Sequence, residues 1–490
     1  MNRKYFPRLM IISLPMLLIS FMMAMLAGAF QKVPLVHAAT IEVTTAVDVV
    51  ADDGFCSLRE AITAANDDAP SGSVAGECPA GNGNDVIVLP ALTYTLIITG
   101  ANEDNNATGD LDVKSHITLQ SEGTDKAIIE AGPDSASGID RVIHIRSTGT
   151  LIGDNLIIRH GNAQGVCMPP FACKWGGGIL SQGDLTLTNS IVTMNSAEWV
   201  GGGIYLGILT TNSLTTTVVS ENTAGTDGGG IFQSDNLTIG DSTIISNTAS
   251  HSGGGIYNDD SDELIILDSL VAANQATNNG GGLYVAGGVI TRIENSTIWR
   301  NEANSGGGLF NASAPLYLRN DTFSANVAAT TGGGIQNHSD AASIDAVNIT
   351  VAFNSATSGG GIYNNQFGDF TLSNSLIANS LSGGDCATSL NTVVTNGLFN
   401  LIEDGSCILG SGSSDPLLGP LQDNGGATMT HALLPGSPAI DKNVGCTNVV
   451  RPYDQRQVSR PQGGGCDIGA YEYAPPSVTD FVVYLPVIMK

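Results

Sequence analysis

The chain has 490 residues, 42% of them hydrophobic, enough to bury a large core, and only 13% charged. Nineteen Lys and Arg face 46 Asp and Glu, a formal charge of −27. A surface this acidic repels nucleic acid and anionic lipid, so neither is expected as a partner. Solubility outside the cell and binding of divalent cations stay open.

In chain order, residues 1–38 come first. Arg3, Lys4 and Arg8 form a basic region, and an apolar run follows from Leu9 to Phe30. Val36-His37-Ala38 then offers a cleavage site before Ala39, so the segment reads as an export signal. An uncleaved membrane anchor is the competing reading of so long a run. Export makes the eight cysteines read as disulfides. Many pairings are open to eight cysteines. Nearest neighbours give Cys56 with Cys78, Cys167 with Cys173, Cys386 with Cys407 and Cys446 with Cys466. No C-x-x-C occurs and histidines number seven, so zinc is the weaker reading of the cysteines.

Residues 39–85 are expected to form an N-terminal cap. In CSLREAITAAN, residues 56–66, Ser57 and Glu60 make a capping box that starts a helix. Leu58, Ala61, Ile62 and Ala65 fall on one face, so a short amphipathic helix is expected over the first coil, fastened by Cys56. Arg59 and Glu60 are adjacent on that helix and point apart, which makes Glu60 a cap rather than half of a catalytic pair.

Residues 86–415 carry a repeat. Triple glycines begin at Gly176, Gly201, Gly228, Gly253, Gly280, Gly306, Gly332 and Gly359, at intervals of 25 to 27. The residue after each triplet is Ile or Leu. A second beat is an asparagine: Asn195, Asn222, Asn247, Asn274, Asn301, Asn326, Asn354 and Asn379. Three residues before each stands an apolar residue, from Val192 to Leu376. A steady period of this size marks a solenoid. LTLTNS at 185–190 and LYLRND at 316–321 alternate, so each repeat holds about three short strands and no helix.

The expectation is an all-β fold: a right-handed parallel β-helix solenoid of about 11 coils, about 50 Å long at a coil spacing of about 4.8 Å, with a short N-terminal capping helix. Glycine reaches positive φ and lets stacked turns approach closely. Asparagine tolerates the left-handed region and can bond its neighbour in a ladder. A phosphate-cradling loop would need a following helix, and strands follow here. The coil before Gly176 departs from the pattern. His160 stands in the asparagine place, and the excess before Gly176 carries Cys167, Met168-Pro169-Pro170 and Cys173. That is a loop of the kind on which a β-helix grafts binding function.

CSLREAI resembles the CSLREA domain found near the start of many exported bacterial β-helix proteins. The Gly-Gly-Gly-Ile and apolar-x-x-Asn beats resemble the repeats of polymorphic outer-membrane proteins. Here a third glycine replaces their usual alanine, and only Phe323 keeps their aromatic residue. GLFNLIEDGSC at 397–407, DPLLGPLQDNGGATMTHALLPGSPAIDKN at 415–443 and CDIGAYEY at 466–473 resemble a choice-of-anchor Q domain, with Gln457 where glycine is usual. These resemblances imply export, a β-helix, attachment at the cell surface (extracellular or outer membrane) and a C-terminal cap over 416–473. They imply no reaction. The apolar tail 474–490 reads equally as a strand pairing with the body or as a sorting tag.

Several β-helix proteins cleave polysaccharides, so chemistry must be weighed. From Gly176 to Ile440 the basic residues are Arg292, Arg300 and Arg319, and Arg292 and Arg319 fall in comparable strands of successive coils. The densest acids are Asp259, Asp260, Asp262 and Glu263, which read either as a calcium site with hard oxygen ligands or as a solvated turn. No other cofactor is expected. No paired carboxylates and no nucleophile motif stand out. The expectation is a secreted or surface-attached structural or adhesive protein with a glycan or cell-surface ligand. A polysaccharide lyase or glycoside hydrolase on the same scaffold is the alternative.

Overall fold

The computed structural model describes residues 38–475, apart from 102, 166–171, 260–262, 340, 366–367, 390–393, 408–411 and 448–450. The export signal, Cys167 and the tail beyond Pro475 lie outside the described residues. So do Asp260 and Asp262.

The chain winds as a parallel β-helix. One coil shows the plan. Ile256–Asn258 joins a first sheet of 11 strands, Glu263–Leu267 a second of 13, Leu270–Ala272 a third of 12, and Gln275–Ala276 a fourth of 7. Each strand pairs in parallel with its counterpart one coil on; Ile256 lies beside Leu283, and Val271 beside Ile298. Where the fourth sheet runs, four strands per coil replace the expected three. Five of its seven strands are only two residues long and bury one alanine (Ala224, Ala249 and Ala276 among them), too little to show as a hydrophobic period. Alternation sends Ile231, Ile256, Leu283 and Leu309 inward from the first sheet and Val219, Ile244, Val271 and Ile298 from the third. These columns form one continuous core.

The three glycines of a triplet have different reasons. Gly253 has φ +66, which L side chains rarely adopt. A Cβ on Gly254 would lie 2.4 Å from the carbonyl oxygen of Gln275. A Cβ on Gly255 would lie 2.7 Å from the oxygen of Gly282 and 2.9 Å from the amide of Asn274. The turn therefore excludes any side chain at all three positions.

The asparagines form a buried ladder from Asn195 to Asn354. Each Oδ1 accepts from the backbone and side-chain amides of the preceding rung: Asn247 N and Nδ2 lie 2.9 and 3.0 Å from Asn274 Oδ1. Two expectations shift by one residue. Asn379 is not the eighth rung. Ala352 pairs with Ala378, so Asn379 takes the left-handed corner held by Phe353, and Ser380 takes the rung. His160 likewise occupies the corner held by Met194, and Gly161 stands at the rung, its N–H donating to Asn195 Oδ1 at 2.8 Å. The corner precedes the rung directly and also accepts asparagine, so spacing alone confuses the two. A parallel ladder of hydroxyls, not anticipated, runs through Thr217, Ser242, Ser269 and Ser296 and ends on Asp321.

At the N-terminal end, Leu58–Asp67 is the capping helix, with the Ser57–Glu60 box formed in both directions. Leu58, Ala61, Ile62 and Ala65 are buried against the core. Arg59 is buried as well. It bonds Asp48 at 2.7 Å and the carbonyls of Gly109 and Asp110, so it ties three segments together. Cys56 is bonded to Cys78, Cys386 to Cys407 and Cys446 to Cys466. Cys173 is also in a disulfide.

The C-terminal segment packs along the flank of the third sheet and reaches the end of the second, where Arg451 bonds Glu294. Thr297, Thr322, Ser324 and Thr350, from three successive strands of the third sheet, bond Met429, Gln455, His431 and Ala470. Leu376 and Ala378 pack with Leu433, Ala439 and Ile468. No helix among the described residues is long and apolar enough to cross a membrane.

Candidate functional site: an arginine pocket on the second sheet

Strands Ile290–Glu294 and Pro315–Arg319 lie side by side, with Arg292 beside Tyr317 and Glu294 beside Arg319. Thr291, Ile293, Leu316 and Leu318 point inward and are buried. The alternation therefore presents Arg292, Glu294, Tyr317 and Arg319 on the outer face. The C-terminal segment adds Arg451. Together with Ile290 they line a pocket of about 460 Å³. Arg292 and Arg319, placed by sequence in neighbouring coils, thus meet in one site. Arg451 was missed because its partner strand lies more than 100 residues earlier.

Glu294 anchors the arrangement. Its Oε2 accepts from Arg451 Nη2 at 2.8 Å, and its Oε1 lies 3.9 Å from Arg292 Nε. Arg319 bonds Asp345 at 2.5 Å and sits 5.6 Å from the centre of the Tyr317 ring. The side chains of Arg292 and Arg451 are 44% and 41% exposed, so both guanidiniums keep free N–H groups facing solvent. Guanidinium stays charged at any working pH and grips carboxylate or sulfate with two parallel bonds. The site is suited to an anionic group beside the edge of an aromatic ring. For glycoside hydrolysis it is poorly furnished. Glu294 is the one carboxylate among the lining residues, where glycoside hydrolysis uses two.

The acidic turn lies one coil away. Glu263 opens a second-sheet strand beside Ile290, and the Asp259 N–H donates to the Gln233 carbonyl at 2.9 Å. The Asp259 carboxylate acts on a feature sequence reading passed over. Tyr205, Phe232, Tyr257, Tyr284 and Phe310, each two residues after a triplet, stack face to face down the outer side of the first sheet. Trp175 leads the column and His338 ends it, with centroids 4.8 to 5.4 Å apart. Burial, then the charges of Asp227 and Asp259 among other neighbours, holds the Tyr257 hydroxyl above its ordinary range. The signal was legible as the aromatic residue in GGGIY and GGGIF. Each ring face within the column is covered by the next ring, so the column offers edges and hydroxyls to a ligand, not stacking platforms.

A second cavity, about 680 Å³, lies where the asparagine ladder stops, lined among others by Asp385, Glu403 and Asp404. These carboxylates are engaged: Asp385 accepts from the N–H groups of Ser380 and Asp404, Glu403 from Asn379, and Asp404 from Asp385. They replace the missing rung at the end of the stack.

A family model for the Chlamydia polymorphic membrane protein repeat matches residues 241–259. That stretch holds strand Thr243–Ile245, the rung Asn247, the triplet Gly253 to Gly255 and the stacked Tyr257. No curated protein matches the chain. The chain is a parallel β-helix carrying a repeat similar to that of the Chlamydia polymorphic membrane proteins, a likeness consistent with a surface or structural role.

Proposed function

We propose that the chain is an exported, surface-attached β-helix that acts as an adhesive rod and holds acidic polysaccharide at the arginine pocket. One observation carries the reading: in a chain of formal charge −27, three guanidiniums converge on one solvent-facing pocket. Two of them are shared with a single glutamate. The surrounding acidity disfavours anionic polymers in general, so affinity for one depends on this local reversal of sign. Calcium belongs to the same proposal. At Asp259, Asp260, Asp262 and Glu263 it would lower the negative potential one coil from the pocket and bridge to a second carboxylate of the polymer.

The test is a panel of neutral and acidic polysaccharides, with calcium and with chelator, scored for retention and for new reducing or unsaturated ends. Retention of uronate polymers without cleavage supports the adhesive reading. Cleavage lost in Arg319→Ala would replace it with a lyase reading at the same site. Equal retention of neutral and acidic polymers would defeat the pocket as the determinant.

A further inference from the structure

The outward column that carries aromatic rings in later coils begins differently. At the N-terminal edge of the first sheet, Leu111–Val113 pairs with Ile143–Ile145, and Asp112 lies directly beside His144. Leu111, Val113, Ile143 and Ile145 belong to the core, so Asp112 and His144 project together from the other side. In-register neighbours of a parallel sheet present their side chains side by side, which is the placement two ligands of one ion need.

The loop before the strand covers them. Asn106 is buried and fastened to Asp112 in three ways: its Oδ1 accepts from Asp112 N at 2.6 Å, its Nδ2 donates to Asp112 O, and its N–H donates to Asp112 Oδ2. This brings Asp104 over the pair. His144 Nδ1 then lies 3.3 Å from Asp112 Oδ1 and 3.9 Å from Asp104 Oδ1. Asp112 is fully buried, and its Oδ1 accepts no hydrogen bond of acceptable geometry. His144 is 6% exposed and its Nε2 is buried without a hydrogen-bond partner. Around them Arg141 sits 2.9 Å from Asp110 and 3.6 Å from Asp140, and Arg146 sits 2.5 Å from Asp104.

We propose that Asp104, Asp112 and His144 form a binding site for a divalent transition-metal ion. One imidazole and two carboxylates suit zinc and its neighbours, whereas calcium and magnesium prefer oxygen alone. Asp104 is half exposed, which leaves the outer side open for water or a further ligand. Metal binding draws Asp104 inward and releases Arg146 to solvent. The site would pin the loop and the first two coils at the end where the stack starts.

The experiment is zinc titration of the purified, chelator-stripped chain by calorimetry, with cobalt absorption as a second readout of the ligand set. The expected result is one zinc per chain, with affinity lowered at least about tenfold in both His144→Gln and Asp104→Asn, and unchanged in His251→Gln. Asp104 is at the surface, so its variant keeps the fold even where a buried substitution fails; far-ultraviolet dichroism verifies this. No saturable uptake would overturn the proposal, leaving His144 and Asp112 as a buried close pair. Uptake that follows His251, whose Nδ1 lies 2.7 Å from Asp227, would overturn it as well.

Discussion

Replacing Asn274 by alanine tests whether the buried ladder holds the coils together. Asn274 Oδ1 accepts from Asn247 N and Nδ2, and its Nδ2 donates to Ile244 O at 2.9 Å and Asn301 Oδ1 at 3.0 Å. The substitution strands two buried donors on Asn247; the bond from Asn247 Nδ2 to Val219 O survives. Asn301 Oδ1 still accepts from Asn274 N. A stranded buried donor costs about 1–3 kcal/mol, so the pair costs about 4 kcal/mol, a large part of the stability of an ordinary domain. Each coil touches only its neighbours, so the loss is local. Hydrogen exchange is expected to rise in the coils from Asn247 to Asn301 and to stay unchanged around Asn195. Exposed Thr277→Ala is the control. A cost for Asn274→Ala within about 0.5 kcal/mol of that control, the range of surface changes, would refute the reasoning.

The glycine account predicts a sharp contrast. Gly254→Ala forces a Cβ within 2.4 Å of backbone and should lower the melting temperature severely. Gly240→Ala meets nothing within 4 Å and should be neutral or slightly stabilising by thermal melt. Removing the Cys56–Cys78 bond, whose ends are 22 positions apart, should cost about 3 kcal/mol in urea denaturation and loosen the N-terminal cap first. Burial raises the Asp467 carboxyl from 3.8 to about 6. Its folded state therefore binds the proton more readily, and this group adds stability as pH falls from about 6 toward 3.8. Asp467→Asn should flatten the melting profile over that interval, and an unchanged difference between the two proteins across it would contradict the assignment.

How much the sequence disclosed depended on repetition. Glycine triplets, inward aliphatics and most asparagine rungs recur every 25 to 27 residues, because stacking imposes the same steric demand on every coil. The capping helix was legible from Ser57, Glu60 and its apolar face. Where repetition failed, so did the reading. The rung after Asn354 is Ser380, and the adjacent Asn379 imitates it. Most strands of the fourth sheet, at two residues, are too short to have a period. Asp112 and His144 share a register, but 32 residues separate them, outside the glycine beat. The arginine pocket was half visible. Arg292 and Arg319 follow from coil arithmetic, whereas Arg451 arrives through packing of a distant segment. The acidic turn was visible as composition, and its inner residues Asp260 and Asp262 lie outside the described residues.

The arginine pocket is tested most directly by the affinity of the purified chain for an acidic polysaccharide, wild type against Arg292→Ala with Arg451→Ala. Saturable binding is expected at low salt and should weaken as added salt shortens the screening length to about 8 Å at physiological strength. The double variant should lose at least about tenfold, since each removed charge pair is worth about 1 kcal/mol or more at a partly screened surface. Affinity unchanged by the double substitution, or independent of salt, would contradict the pocket's role.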